Sequence, residues 1–123
     1  LYFQLGIDST TNMDGVKSND LDPSNGMYWT WQSGYINYKM EGTSKICPAR
    51  KNSFQFHIGG YQYPYNSLQK VIISTNTTEN INLYFDLEEL LLKIDISSTF
   101  QIMSPSEKSN KIAKLIGESF YIK

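Results

Sequence analysis

Residues 34–42 read GYINYKMEG and residues 54–60 read FQFHIGG. In the first stretch Ile36, Tyr38 and Met40 alternate with Tyr35, Asn37, Lys39 and Glu41; in the second, Phe54, Phe56 and Ile58 alternate with Gln55 and His57. Successive side chains of an extended backbone point to opposite faces, so both stretches predict half-buried strands. His57 then lies on the face opposite the two phenylalanines. Working outward, residues 27–32 predict another strand, residues 68–74 and 80–85 two more around a turn at 75–79, and 120–122 a last one. The Pro-containing segments 44–52 and 61–66 read as connections, and residues 8–25, rich in Asp, Asn, Ser and Gly, as a long polar loop without hydrophobic period.

Two segments carry helix signals instead. Asp86 precedes LEELLLKI with Glu89 in capping-box position, which puts Leu87, Leu90, Leu91 and Ile94 on one face. Ser104 and Pro105 open a second helix over 106–116, with Ile112, Leu115 and Ile116 inward and Lys108, Lys111 and Lys114 outward. With nine Tyr, six Phe and Ala only at 49 and 113, intrinsic helix formers are scarce elsewhere. The expected fold is therefore mainly β: an antiparallel β-sandwich with two short helices, in a single domain over residues 1–123. Leu1, Tyr2, Phe3 and Gln4 coincide with most of the recognition sequence of a common tag-removal protease, while Tyr2, Phe3, Leu5 and Ile7 also read as a strand. Both origins stay open on sequence.

Charge and cysteine content exclude several functions. A formal net charge of −1 removes the usual electrostatic basis for nucleic-acid binding. No apolar run approaches the roughly eighteen residues of a membrane span. Cys47 is the one cysteine, so it forms no disulfide within the chain. A single His allows no paired-histidine metalloenzyme motif, and Gly59-Gly60 ends a strand rather than opening a helix, so it is no phosphate loop.

Four features could carry chemistry. The block 20–35, DLDPSNGMYWTWQSGY, holds both tryptophans. On an extended backbone Trp29 and Trp31 share a face, and two indoles there are either core packing or an oxidisable surface. His57 is either a structural imidazole or a ligand for copper or zinc, to which Met27, Met40, Met103 or Cys47 could add sulfur for Cu(I). Asp8, Asn12, Asp14, Asp20 and Asp22 offer hard oxygen ligands for calcium, or equally a solvated loop stiffened by Asx turns. Tyr61, Tyr63 and Tyr65 form an aromatic segment suited to recognition.

The runs LGIDSTTN, DLDPSNGMYWTWQSGYINYKMEG, FQFHIGGY and IMSP, in that order, resemble the MbnP-like family, found beside methanobactin copper-uptake operons and in Bacteroidetes. The resemblance implies an exported bacterial protein, periplasmic, secreted or on the cell surface, non-enzymatic and connected with copper. It also implies a di-haem partner of the cytochrome c peroxidase class, which oxidises a client tryptophan to kynurenine. Carried over by motif, Trp29 and Trp31 are the candidates for oxidation and His57 the candidate copper ligand. Members of that family run to about twice this length, so the resemblance makes the chain their C-terminal half, with an open sheet edge for a complementing chain or a second copy. The alternative is a cell-surface recognition module for protein or glycan, with a structural calcium loop.

Overall fold

The computed structural model describes residues 1–123. The chain is mainly β, and the two alternating stretches build its centre. They form β3 (Gly34–Thr43) and β4 (Ser53–Gly59), antiparallel neighbours joined through the Pro48 connection. A short strand, β2 (Tyr28–Trp29), pairs with the start of β3, and β9 (Gln101–Ile102) adds to the other side of β4 in parallel. The resulting order is β2-β3-β4-β9. The parallel strand was not legible, because two residues carry no period.

Tyr38, Met40, Phe54, Phe56, Ile58 and Ile102 face the core. Opposite them lie two helices, α2 (Leu87–Lys93) and α3 (Glu107–Glu118), which bury Leu90, Ile112, Ala113 and Ile116. Each fully buried Phe or Ile in this layer contributes about 1.5–3 kcal/mol. The first helix starts where its cap predicts, with Asp86 accepting from the Glu89 N–H; the second is capped by Ser106, accepting from the Ser109 N–H, two residues beyond the expected Ser104.

Two antiparallel ribbons complete the layer. One joins β1 (Tyr2–Leu5) to β7 (Gln69–Ile72); the other joins β8 (Leu83–Phe85) to β10 (Phe120–Ile122). The segments expected to flank a common turn, 68–74 and 80–85, thus pair with opposite ends of the chain instead of with each other. Phe3 meets Phe120 edge-on at 5.2 Å between ring centroids, and Phe85 meets Phe120 at 4.8 Å, so aromatic contact ties the ribbons together. Residues 1–4 are strand-paired, with the Leu1 amino group donating to the Ile73 carbonyl.

Segment 8–25 differs from the expected loop. It contains a third helix, α1 (Ser9–Met13), capped by Asp8, and single helical turns at Asn19–Leu21 and Pro23–Asn25. Segment 61–66, also expected as a connection, is a small hairpin of β5 (Tyr61–Gln62) and β6 (Tyr65–Asn66). The predicted strand 27–32 stops at Trp29, because residues 30–33 form a turn in which Ser33 takes a left-handed φ of 52°.

Candidate functional site

The outer face of the four-stranded sheet is the site. Register places Lys39 opposite His57, Glu41 opposite Gln55 and Ile36 opposite Gly59, so these side chains share the face turned away from the core. Asn37 is the extra residue of a bulge between Ile36 and Tyr38. Its carboxamide accepts from the Ile7 N–H and donates to Ser67, which fixes the sheet's upper end to the segments around it.

His57 is buried, yet its Nε2 lies 2.7 Å from the Glu41 carboxylate. That hydrogen bond is the largest cause holding the Glu41 carboxyl below its ordinary value, with Lys39 adding to it. A carboxylate only accepts, so the Nε2–H of the ring donates to Glu41, a carboxylate–histidine contact that fixes the ring's orientation.

A pH dependence follows with definite sign. Because the folded Glu41 carboxyl titrates below its unfolded value of 4.5, its stabilising contribution is fully present above that pH and is lost as pH falls through the folded value. The Tm difference between the wild-type chain and Glu41→Gln accordingly closes as pH falls into the acid range, as differential scanning fluorimetry would show. A gap that stays constant into strong acid contradicts the pairing.

Trp29 belongs to the same face. Its indole edge covers Gly59, where a Cβ would lie 2.8 Å from Cζ3 and 3.0 Å from Cη2. Gly59 and His57 are two residues apart on one strand, so Trp29 sits about 7 Å further along the face than the imidazole. The ring is 4% exposed, and its Nε1 is buried without a hydrogen-bond partner. Trp31 reaches it differently from the expected extended pairing. It projects from the turn, 64% exposed, and its ring meets that of Trp29 at 5.8 Å and 48°. One indole is therefore wall and the other surface.

The candidate sulfur donors are spread over the structure. Met40 and Cys47 are in the core, where the Cys47 thiol donates to the Ser53 carbonyl at 3.3 Å, and Met27 lines a cleft beside Leu21 and Asp22. Met103 follows β9 directly, and its Sδ accepts from the Gln101 carboxamide at 3.7 Å, which turns it outward. In the parallel register Gln55 faces Gln101 and Phe56 faces Ile102, and Met103 follows where this pairing ends. An imidazole nitrogen and a thioether suit Cu(I) in kind. They do not suffice in number, for no group of three His, Cys, Asp or Glu side chains converges anywhere in the chain.

The calcium reading is not supported. Asp8 accepts from the Thr11 N–H and Asp22 from the Ser24 N–H, while Asp14 is paired with Lys17; each interaction holds the carboxyl below its ordinary value. Asn12 is buried, accepting from the Tyr35 N–H and donating to the Ile7 and Asp8 carbonyls. Asp20 contributes its backbone carbonyl to Asn25. The polar residues of this segment are its own scaffold.

Tyr61, Tyr63 and Tyr65 do come together. They line one cavity of about 240 Å³ with Gln32, and the Tyr61 ring lies over Gly34 at 3.3 Å from where a Cβ would be. Glu41, the partner of His57, is the functional residue that the sequence did not single out; its placement two positions past Lys39 on an alternating strand was the available signal.

These features define a mainly-β domain whose outer sheet face presents an indole pair beside a carboxylate-oriented histidine. The sequence model of the MbnP family matches residues 1–109, and the chain belongs to that family. No curated protein and no solved structure matches it. No helix is long and apolar enough to cross a membrane.

Proposed function

We propose that this chain is an exported, non-enzymatic, copper-associated protein in which Trp31 is the residue presented to a di-haem oxidase of the cytochrome c peroxidase class and His57 is a nitrogen donor to Cu(I). The observation that supports the reading is the contact of exposed Trp31 with buried Trp29, itself seated on Gly59 along the face that holds His57. An external oxidant reaches only the exposed ring, and the buried ring extends the aromatic path toward the imidazole. Family membership supplies the association with copper. In this reading His57 supplies one donor, and further donors come from a partner or a second copy.

Conversion of Trp31 to kynurenine balances with peroxide as oxidant. Two peroxide equivalents deliver two oxygen atoms across the indole C2–C3 bond, which breaks to give N-formylkynurenine while two waters leave. Hydrolysis then releases formate. The net change is one carbon lost and one oxygen gained, about 4 Da in mass.

Intact mass spectrometry after co-expression with such an oxidase and exposure to peroxide tests the assignment. The expected gain of about 4 Da is retained in Trp29→Phe and absent in Trp31→Phe. An unchanged wild-type mass, or a modification that maps to Trp29, overturns it. Equilibrium dialysis against Cu(I) tests the second part: His57→Ala retains less copper than the wild-type chain, and equal retention removes His57 from the site.

A further inference from the structure

The cavity between the β5–β6 hairpin and the turn at 30–33 has chemistry of its own. Its walls include Gln32, Tyr61, Gln62, Tyr63, Tyr65 and Pro105, with no Asp, Glu, Lys or Arg among the lining residues. Tyr63 is 97% exposed at the hairpin tip. The hydrogen bonds that hold the hairpin all use its backbone: Ser9 Oγ donates to the Tyr61 carbonyl, Asn110 Nδ2 to the Pro64 carbonyl, and the Ser67 N–H to the Gly60 carbonyl. The phenols of the three tyrosines and the carboxamides of Gln32 and Gln62 are therefore uncommitted. Gly60, at a φ of 116°, closes the floor, where a Cβ would strike the Tyr65 carbonyl at 2.5 Å and Pro105 at 2.9 Å.

We propose that this groove binds a neutral oligosaccharide. Aromatic rings offer flat apolar surface to the C–H face of a pyranose, while carboxamides and phenols each donate and accept, as adjacent hydroxyls require. The absence of charge in the lining argues against an anionic glycan, a nucleic acid or a metal ion, all of which need charged partners. A cavity of about 240 Å³ takes a single sugar ring, with neighbouring units of the chain running over exposed Tyr63. Because helices α1 and α3 anchor the hairpin from two sides, little backbone ordering opposes binding.

Titration calorimetry of the full chain with cellohexaose, laminarihexaose and maltohexaose, with an alginate hexamer as anionic control, tests the groove. At least one neutral hexasaccharide is expected to bind saturably, insensitive to added salt, with affinity reduced about tenfold or more by Tyr63→Ala and by Gln32→Ala and unchanged by Lys108→Ala. The exposure of Tyr63 makes its truncation harmless to folding. Failure of all three neutral sugars to bind, binding unchanged in both groove variants, or binding of alginate as tight as that of the best neutral sugar overturns the proposal. Tyr63→Ala leaves kynurenine formation and copper retention unchanged, so this result stands apart from the copper reading.

Discussion

Alanine in place of Gly59 lowers the stability of the chain by about 3 kcal/mol and exposes the buried indole. The added Cβ would lie 2.6 Å from the Tyr35 carbonyl oxygen and 2.8 Å from Trp29 Cζ3. The first neighbour is backbone of the paired strand β3, which cannot give way without breaking the ladder on which the site is built. The second is a ring already 4% exposed, with Gly59 beneath it. Tilting Trp29 outward relieves only the second contact, and pushes the ring against Trp31. Urea unfolding measures the loss, and the Trp emission maximum moves to longer wavelength as the ring meets water. If Gly59→Ala unfolds within about 0.5 kcal/mol of the wild-type chain, the close seating of Trp29 on the strand is wrong, and with it the aromatic path toward His57.

What could be read from sequence is what local physics enforces. β3 and β4 were legible because period-two alternation covers most of each strand, and it also placed His57 correctly on the face away from Phe54 and Phe56. The start of α2 was legible because Asp86 satisfies a backbone donor that nothing else reaches, whereas α3 is capped by Ser106 rather than by the expected Ser104. Pairing of β1 with β7 and of β8 with β10 was not, since it rests on contacts between distant segments that leave no local signal. Trp31 was legible as a neighbour of Trp29, but a turn rather than strand geometry brings the two rings together. The hairpin tip carrying Tyr63 looked like a plain loop, as its strands are two residues each.

The acidic segment shows how polar composition misleads in the other direction, and Asn12→Asp separates the two readings of it. Were the segment a cation site, a further carboxylate would tighten calcium binding, and calcium would raise Tm. The structure demands the opposite. Asn12 Nδ2 donates to two carbonyls, of Ile7 and Asp8, each at 3.0 Å, while Oδ1 accepts from the Tyr35 N–H at 2.9 Å. An aspartate keeps the acceptor but turns its second oxygen toward two carbonyl oxygens in a position 5% exposed. Lost donors and an uncompensated buried charge together cost about 3 kcal/mol at neutral pH, a Tm drop of roughly 10–15 °C for a chain of this size. The new carboxyl takes up a proton more readily folded than unfolded, since its neutral O–H donates to one of those carbonyls. The penalty is therefore largest above the folded pKa and shrinks as pH falls toward the unfolded value of about 4. Thermal melts of Asn12→Asp across that range, with and without millimolar calcium, give the answer. A variant that matches the wild-type chain at neutral pH, or one that calcium stabilises, would show that Asn12 is a ligand and that its hydrogen bonds to strand β3 and to the start of α1 are dispensable.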